Sequence, residues 1–332
     1  MKIGINGFGR IGRQVMRIAH AQGLEVGHIN DLSDVEVLAH LLRFDSVYGR
    51  WGDHAVSAEE GGFDIDGRRV SVSSQSDPEK IPWKDHGVDV VLESTGAFRK
   101  REDAAKHLAA GAAKVLISAP GKSQLDGDFV IGVNADDYDP QTHDIISIGS
   151  CTTNCLAPVA KVLHEEFHIQ HGLINTVHAY TSSQNLVDAP QKSKRLRRAR
   201  AAATNIIPTT TGAARTIALV MPELEGRLDG MAVRVPVICG SLLDLTCTVE
   251  KQVTAESVND ALRRWADGSM KGILQVEDAP IVSGDVIGTE FSAIVSPGDT
   301  KVRGEHLVKV LAWYDNEWAF SRRCVDMMER ML

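Results

Sequence analysis

The first 150 residues alternate short apolar runs with segments whose apolar positions recur at helical spacing. Lys2–Asn6 has the pattern of a buried strand, and Arg10–Gln22 then places Ile11, Val15 and Ile18 on one face of a helix. Strands and helices in this order predict a largely parallel sheet covered by helices. Further strands are predicted at Leu24–Asn30, Val88–Glu93, Lys114–Ser118, Phe129–Val133 and Ile145–Ile148, further helices at Val35–Leu42 and Arg101–Ala110, and a hairpin region at 55–75.

The second half of the chain has a different pattern. From Leu243 to Val249 apolar and polar residues alternate, which is typical of a strand with one buried face. A helix is predicted around Val258–Trp265, with Thr254 as its N-cap. Two more strands are predicted at Phe291–Val295 and Leu307–Trp313, and a final helix at Ser321–Leu332.

Length and charge exclude several classes of protein. The 332 residues are enough for two domains at about 150 residues each. The 36 Lys and Arg against 44 Asp and Glu give a net charge of −8, which excludes a generally basic nucleic-acid-binding protein but not a local basic patch. The 43% of hydrophobic and 24% of charged residues exclude bulk disorder.

We expect a cytoplasmic protein with no membrane association. The longest useful uncharged stretch, Ile145–Ala160, contains polar residues and falls short of the ~20 apolar residues that a membrane span needs. The N-terminal segment has no apolar core ahead of its arginines, as a secretion signal would have. The five cysteines are odd in number and unevenly spaced, which argues against a disulfide framework.

The segment GFGRIG at 7–12 fits the GxGxxG pattern between a predicted strand and a predicted helix. Glycines there permit a tight turn, and the helix N-terminus presents free N–H groups to a pyrophosphate. Asp31, at the end of the next strand, would accept a hydrogen bond from a ribose 2′-hydroxyl and repel a 2′-phosphate. The segment predicts a site for NAD rather than NADP; the alternative is a structural turn beside an ordinary surface aspartate.

Cys151 follows the strand predicted at Ile145–Ile148 and begins an apolar helix that extends to about Phe167. A helix N-terminus at the carboxyl end of a strand favours a thiolate and exposes it at the ligand-binding edge of a sheet. Cys155, one turn later, is interpreted as a buried structural thiol. A Cys-x3-Cys metal or redox site lacks further ligands at suitable spacing, so we expect no metal. Two inert core cysteines remain an alternative.

A thiolate nucleophile needs a base, and twelve histidines are available. His178 lies in the apolar-then-polar stretch VHAYT at 177–181, which could end a strand beside the site. Sequence alone does not choose between His178 and the other histidines.

Seven motifs occur in the order and spacing found in phosphorylating glyceraldehyde-3-phosphate dehydrogenases, and the chain resembles that family over essentially its whole length. The motifs are GINGFGRIGR, the IND that ends at Asp31, LESTGAF, SCTTNCLAP, NIIPTTTGAA, GMAVRVP and WYDNEW. The resemblance implies an α/β fold, with a Rossmann-type dinucleotide-binding domain plus an α+β catalytic domain whose sheet is largely antiparallel. The implied domains are 1–150, completed by the C-terminal helix 316–332, and 151–315, and the implied assembly is a homotetramer.

The resemblance also implies a reaction of glycolysis, the oxidative phosphorylation of glyceraldehyde 3-phosphate to 1,3-bisphosphoglycerate with NAD. Cys151 would attack the aldehyde as a thiolate and give a thiohemiacetal. His178 would remove the hydroxyl proton as hydride passes to NAD. Inorganic phosphate would then attack the resulting thioester and release an acyl phosphate.

The family's binding roles fall on residues whose motifs match. The phosphate of the substrate would be bound by Thr181 and Arg234, and the attacking phosphate by Ser150, Thr152, Arg198, Thr211 and Gly212. The cofactor would be bound by Gly7, Gly9, Arg10, Ile11, Gly12, Asp31, Thr95, Ser118 and Asn316, the last at the nicotinamide carboxamide. For Thr181, Thr211 and Arg234 the alternative is a role in a turn, a cap or a salt bridge.

Several segments depart from the family pattern. Ala189-Pro190 combines features of NAD-preferring and NADP-using members, which leaves some use of NADP open. Pro236–Gly240 introduces Cys239, and Ala319-Phe320 replaces Gly-Tyr. The segment 191–200 is longer than the close bacterial pattern and leaves Arg197 and Arg200 as alternatives to Arg198. Its basic residues are Lys192, Lys194, Arg195, Arg197, Arg198 and Arg200.

Other functions stay open at this point. An erythrose-4-phosphate dehydrogenase would let water rather than phosphate release the acyl group, and a paralogue could use arsenate in place of phosphate. An NAD-binding regulatory or RNA-binding protein would use the basic loop 192–200. The intact Cys151, His178 and two anion sites argue against nucleic-acid binding as the primary role.

Overall fold

The computed structural model describes residues 1–191 and 195–332, which form two compact units. The first unit consists of Met1–Ile131, Ala135–Gly149 and Ser321–Leu332, and the second of Gly132–Asn134 and Ser150–Phe320. Lys192 and Lys194 of the basic segment lie outside the described residues.

The elements of the first unit follow the predicted alternation of strands and helices, with small changes of boundary. They are β1 (Lys2–Asn6), α1 (Arg10–Ala21), β2 (Glu25–Asn30), α2 (Val35–Arg43), β3 (Phe44–Asp45), β4 (Gly49–Arg50), β5 (Val56–Glu59), β6 (Gly62–Ile65), β7 (Arg68–Ser73), β8 (Val90–Glu93), α3 (Arg101–Ala109), β9 (Lys114–Ile117), β10 (Gly127–Asp128) and β11 (Ile145–Ser147).

The main sheet of this unit has the strand order β10-β11-β9-β8-β1-β2-β7-β6-β5. Pairing is parallel from β10 to β7, and β5, β6 and β7 form the antiparallel extension that the hairpin prediction placed at 55–75. All residues of β1 from Ile3 to Asn6 are buried, as expected for a central strand covered on both faces.

The strand predicted at Phe129–Val133 is wrong. The strand in this region is β10, two residues earlier, and residues 131–134 form a turn in which Gly132 has φ +81°. Phe129 and Val130 are buried by packing rather than by membership of a strand. An apolar run of this length does not distinguish the two cases.

The second unit begins with the helix that carries Cys151. Its elements are α4 (Cys151–Phe167), β12 (Ile169–Ala179), β13 (Ile207–Thr210), α5 (Ala213–Val220), β14 (Leu228–Val235), β15 (Ser241–Val249), α6 (Ala255–Asp267), β16 (Leu274–Val276), β17 (Ala293–Val295), β18 (Lys301–Arg303), β19 (Leu307–Tyr314) and α7 (Trp318–Arg330), whose residues from Ser321 belong to the first unit.

The sheet of the second unit has the order β13-β14-β12-β15-β19-β17-β16, with β18 paired to β19. Its pairs are antiparallel except for β12 with β14 and β16 with β17, so the predicted fold class is confirmed. The apolar helix α4 packs against β12, β15 and β19. Thr254 caps α6 as predicted, in a reciprocal capping box with Ser257.

Across the described part of the chain, we find no helix that combines the length and the apolar character needed to cross a bilayer.

Candidate active site

Each of the three glycines in the turn at 7–12 is explained by a different structural feature. Gly7 has φ +93°, and a Cβ there would lie 2.7 Å from the backbone nitrogen of Thr95. A Cβ on Gly12 would overlap the carbonyl oxygen of Gly7, where the helix packs closely on the strand. A Cβ on Gly9 would meet nothing within 4 Å. The N-terminus of α1 at Gly9 is therefore open to the approach of a phosphate group.

Four of the predicted cofactor residues lie at one edge of the sheet. Gly7, Asp31, Thr95 and Ser118 follow β1, β2, β8 and β9, which are neighbouring parallel strands. The carboxyl ends of such strands share an edge, which is where open α/β sheets bind nucleotides. The structure thus brings these four positions together in the first unit.

Asp31 contacts the glycine turn directly. Its Oδ2 accepts a hydrogen bond from the backbone N–H of Phe8 at 2.7 Å, and its Oδ1 accepts one from Ser33 N–H at 2.9 Å. A carboxylate has about four acceptor positions, so lone pairs remain for ribose hydroxyls. The two backbone bonds fix the carboxylate beside the turn.

The Arg10 guanidinium is already paired with other side chains of the protein. It donates to Asp45 and lies 5.6 Å from the centre of the Tyr48 ring. Arg10 and Ile11 can still offer backbone N–H groups, because they occupy the first turn of α1. These N–H groups are the donors that the GxGxxG pattern predicts.

Glu93 is a residue of this edge that sequence analysis did not select. Its Oε1 accepts from Thr95 N–H at 2.9 Å and from the Thr95 hydroxyl, and its Oε2 accepts from Asn6 Nδ2 at 2.6 Å. The backbone N–H and the hydroxyl of Ser118 both donate to the carbonyl oxygen of Glu93, at 3.0 and 3.1 Å. The signal was available, since Glu93 is a charged residue at the end of an apolar strand.

In the second unit, the thiol of Cys151 and the imidazole of His178 are in contact. Sγ of Cys151 lies 3.4 Å from Nε2 of His178. Cys151 is the first residue of α4, whose N-cap Ser150 accepts from Thr153 N–H, and His178 is the penultimate residue of β12. The predicted positions of both residues at element ends are confirmed, and the histidine that sequence could not select is the one beside the thiol.

Burial determines the protonation of this pair in the free protein. It raises the pKa of the Cys151 thiol, while the charge of Arg234 and hydrogen bonds from Thr152 act in the opposite direction. Burial and then the Arg234 charge lower the pKa of His178 to about 3. The helix N-terminus therefore does not by itself give a thiolate here. Both shifts favour the uncharged forms of the pair, a thiol and a neutral imidazole.

Arg234 lies on the other side of the imidazole. Register places it opposite His178, where β14 pairs with β12, and its Nη1 is 2.7 Å from both Nδ1 of His178 and the carbonyl oxygen of Ala179. Its Nε is buried and has no hydrogen-bond partner among the described residues. A buried donor of this kind is costly unless an acceptor is supplied, and an anionic ligand is such an acceptor.

A second buried arginine lies near the first. Arg198 is 8% exposed; its Nε donates to the hydroxyl of Thr209 at 2.9 Å and its Nη1 to the hydroxyl of Ser183 at 3.2 Å. Ser183 in turn is 2.9 Å from the hydroxyl of Thr181. Burial and the Arg234 charge lower the pKa of Arg198 to about 10. Two buried cations with hydroxyls around them are suited to binding an oxyanion.

The other arginines of the basic segment differ from Arg198. Arg195 and Arg197 are exposed, and Nε of Arg200 donates to Asp188 at 2.6 Å. Within the described residues, the segment is thus not one continuous basic face. Only Arg198 of these four is buried against Thr209 and Ser183, hydroxyl residues that sequence analysis did not select.

The hydroxyl of Thr152 belongs to a buried set centred on Tyr314. The Tyr314 hydroxyl is 2.9 Å from Oγ1 of Thr152 and 2.8 Å from Oγ1 of Thr176, and its ring lies edge-on to His178. Ser150 likewise uses its hydroxyl to cap α4. Tyr314 was missed as a functional residue although its motif was recognised.

Three predicted residues remain to be placed. Thr211 and Gly212 lie between β13 and α5, where the Thr211 hydroxyl accepts from Ala213 N–H at 3.2 Å and Gly212 is the N-cap. Asn316 follows β19, and its Oδ1 accepts from Gly240 N–H at 3.1 Å and from the Ser241 hydroxyl at 2.9 Å. These two bonds to Oδ1 fix the orientation of the Asn316 amide. Its Nδ2 group then points away from them and can donate to a carboxamide oxygen.

Comparisons with known proteins give matches along the whole chain. A family model described as glyceraldehyde 3-phosphate dehydrogenase, NAD binding domain, matches residues 1–101, and one described as glyceraldehyde 3-phosphate dehydrogenase, C-terminal domain, matches residues 150–316.

Curated relatives with this name are similar over nearly their full length. The chain is 53% identical over 328 residues to glyceraldehyde-3-phosphate dehydrogenase of Geobacillus stearothermophilus and 51% identical over 328 residues to glyceraldehyde-3-phosphate dehydrogenase 1 of Bacillus subtilis. It is 51% identical over 330 residues to the glyceraldehyde-3-phosphate dehydrogenase of Streptomyces coelicolor. Each alignment covers 98% of this chain and 97% of the relative.

Proposed function

The chain belongs to the glyceraldehyde-3-phosphate dehydrogenase family, and on this premise we propose that it oxidises glyceraldehyde 3-phosphate and transfers the acyl group to inorganic phosphate. Family membership makes it an NAD-dependent oxidoreductase. The observation that carries the proposal is the 3.4 Å contact between Sγ of Cys151 and Nε2 of His178. A thiol in contact with an imidazole is the arrangement that nucleophilic catalysis by cysteine needs.

The first step is attack on the aldehyde carbon. Nε2 of His178 accepts the Cys151 thiol proton, and the sulfur forms a bond to the carbonyl carbon. The carbonyl oxygen takes up the proton, and the product is a thiohemiacetal on Cys151. His178 is within hydrogen-bond reach of this group, so that it can then accept the hydroxyl proton.

When bound, NAD supplies the hydride acceptor of this oxidation. In the first unit the glycine turn at 7–12 and Asp31 would hold it, and the family resemblance assigns Asn316 to its carboxamide. The open surface over Gly9 and the fixed amide of Asn316 fit such a group. Asp31 and Pro190 favour NAD, and Ala189 leaves some use of NADP open.

The second half of the reaction releases the acyl group. An oxygen of inorganic phosphate bonds to the thioester carbon, and the carbon–sulfur bond breaks to return Cys151 as the leaving thiolate. Arg198, with Ser150, Thr152, Thr211 and Gly212, is assigned to this phosphate, and Thr181 with Arg234 to the phosphate of the substrate. The buried pair Arg198 and Arg234 supports both assignments, since the two cations lie close enough to lower the pKa of Arg198.

The assembly and location are also proposals. A homotetramer is supported by large apolar side chains that the single chain leaves exposed around the basic segment, which are Leu186, Val187, Leu196 and Ile206. A cytoplasmic location is supported by the five cysteines, all of which are thiols rather than disulfides. Light scattering after size exclusion tests the first proposal, with about four times the 36.0 kDa chain mass expected.

The function is tested by NADH absorbance with NAD and glyceraldehyde 3-phosphate, with and without inorganic phosphate. We expect steady turnover only with phosphate, and no turnover in Cys151→Ser although that variant still binds NAD. A rate that does not depend on phosphate and is higher with erythrose 4-phosphate would overturn the substrate assignment. Arsenate in place of phosphate, run in parallel, shows which oxyanion gives the higher kcat/KM.

A further inference from the structure

We propose that His20, His54 and Asp66 form a binding site for a divalent transition-metal ion of the zinc type. One donor atom from each side chain lies within 4.8 Å of the others. The three residues belong to the first unit, and none of them takes part in the proposed reaction. His20 is in the last turn of α1, about 15 Å along the helix from the glycine turn at 1.5 Å per residue.

The carboxylate of Asp66 is at the centre of this cluster. Its Oδ2 lies 2.6 Å from Nδ1 of His54 and 3.2 Å from Nε2 of His20. The side chains are 35%, 39% and 17% exposed for Asp66, His54 and His20. An ion from solvent can therefore reach the three donor atoms without unfolding of the unit.

The backbone holds Asp66 in place for this role. Asp66 and Gly67 form the turn between β6 and β7, with φ +54° and +80°, as in a tight hairpin. Ala55 N–H donates to Oδ1 of Asp66 at 2.8 Å, and Asp66 N–H donates to the carbonyl oxygen of Ala55 at 3.0 Å. One carboxylate oxygen is thus fixed by the backbone, and the other faces both imidazoles.

Both imidazoles are positioned by one indole. The ring of Trp51 lies 5.2 Å from the His20 ring and 4.7 Å from the His54 ring, and the two imidazoles are 4.9 Å apart and nearly perpendicular. Orientation of ligand side chains before the ion binds reduces the entropy that binding costs. The three donor atoms are thus gathered within 4.8 Å of one another before an ion binds.

The donor set selects the type of ion. Two imidazole nitrogens and one carboxylate oxygen suit Zn²⁺ and related first-row ions, and a water would complete four-fold coordination. Metal–ligand bonds of about 2.0–2.2 Å place tetrahedral donors about 3.3–3.5 Å apart. The His20–Asp66 distance of 3.2 Å already fits, and the His54–Asp66 distance of 2.6 Å has to open by about 1 Å when the ion binds.

The competing explanation is a cluster of hydrogen bonds that binds protons only. The hydrogen bond from His54 lowers the pKa of Asp66, so the carboxylate is ionised at neutral pH and attracts a proton and a metal ion alike. Proton binding and metal binding use the same nitrogen atoms. The two explanations therefore differ in one measurable result: only a metal site binds one divalent ion per chain.

The experiment is a calorimetric titration of Zn²⁺ into the full-length Cys151→Ser protein, because the reactive thiol is itself a zinc ligand. The remaining cysteines are buried. We expect one Zn²⁺ per chain and, with Co²⁺ as the probe, the visible absorption band of a tetrahedral site. Asp66→Asn and His54→Gln should each weaken Zn²⁺ binding at least 10- to 100-fold, which is the loss caused by removing a residue that only supports a metal ligand.

His40→Gln is the matched control, since it removes an exposed imidazole of α2 outside the cluster. It should leave the affinity unchanged. Asparagine tolerates positive φ, so Asp66→Asn should keep the turn between β6 and β7. Zn²⁺ should raise the Tm of the Cys151→Ser protein, but not the Tm of the protein that also carries Asp66→Asn. Absence of Zn²⁺ binding, or binding that both cluster variants retain, would overturn the proposal.

Discussion

Nη1 of Arg234 is 2.7 Å from Nδ1 of His178, on the side of the imidazole away from Cys151. The nitrogen Nδ1 cannot both accept a hydrogen bond from Arg234 and donate one to the Ala179 carbonyl, so it makes only one of these bonds at a time. While the guanidinium stays here, it favours the tautomer that carries hydrogen on Nε2. An anion that draws Arg234 away would allow Nδ1–H to donate to Ala179 and leave Nε2 free to accept the thiol proton.

The first prediction concerns Arg234→Ala. Burial remains, but the neighbouring positive charge is lost, so the pKa of His178 should rise from about 3 while staying below its ordinary value. A pH titration of the His178 resonances by NMR measures this. Arg197→Ala, which removes an exposed arginine, should leave the titration unchanged.

The same shift has a consequence for acid stability. The folded-state pKa of His178 lies below the unfolded value, so the unfolded chain binds more protons and the free energy of unfolding decreases as pH falls from about 6.5 towards 3. In Arg234→Ala the pH range over which the free energy of unfolding decreases should end at a higher pH, because the folded-state pKa of His178 is higher. Urea unfolding over a pH series tests the sign; an unchanged window would show that Arg234 does not act on His178.

A second prediction separates the arginines of the basic segment. Arg198→Ala removes charge-assisted hydrogen bonds worth about 1.5–3 kcal/mol each, so KM for inorganic phosphate should rise about 10- to 100-fold. Arg197→Ala should change it less than twofold, because that side chain is exposed. Equal effects of the two substitutions on KM would assign the phosphate to the segment as a whole.

A third prediction uses two glycines of the same turn. Gly12→Ala forces a Cβ onto the Gly7 carbonyl and should lower the free energy of unfolding by about 1–3 kcal/mol. Gly9→Ala has free space and φ −76°, so it should change stability by less than about 0.5 kcal/mol. It should nevertheless weaken NAD binding, because its methyl group covers the N-terminus of α1. Denaturant melts with NAD titrations on both variants decide; a Gly9→Ala protein with normal affinity would contradict this placement of the pyrophosphate.

A fourth prediction concerns the choice of cofactor. The unmodified protein should have a higher kcat/KM with NAD than with NADP. Asp31→Asn removes the charge that repels a 2′-phosphate and one acceptor of the backbone bonds, so this preference should fall about tenfold or more. Asp34→Asn, at the N-cap of α2, is the control and should keep the preference. Steady-state rates with both cofactors measure it.

Sequence pattern predicted the parts of the fold in which local periodicity and burial agree. The strand and helix around the glycine turn and the N-cap at Thr254 were all predicted from neighbouring residues. The strand at Phe129–Val133 failed because an apolar run is buried in the same way in a turn, where Gly132 takes positive φ.

The candidate site divides in a similar way. The positions of Cys151 and His178 at element ends follow from local sequence, but their contact depends on pairing across the sheet. The low pKa of His178 depends on burial and then on Arg234, which is 56 residues away in sequence and lies opposite His178 through the register of β12 with β14. Ser183 lies in a loop and Thr209 in the short strand β13, and both were missed because no periodic pattern marks their hydroxyls.

The buried phenol of Tyr314 contacts both elements that carry the reacting pair. Its hydroxyl is hydrogen-bonded to Thr152, next to Cys151 in α4, and to Thr176, two residues before His178 in β12. A displacement of the helix relative to the strand would have to break one of these bonds, which leaves a buried hydroxyl without a partner. The gap between sulfur and imidazole is therefore set by the rigid interior of the unit. Motion in the segments that we propose to bind phosphate would then alter how tightly substrate is held without changing the distance between Cys151 and His178.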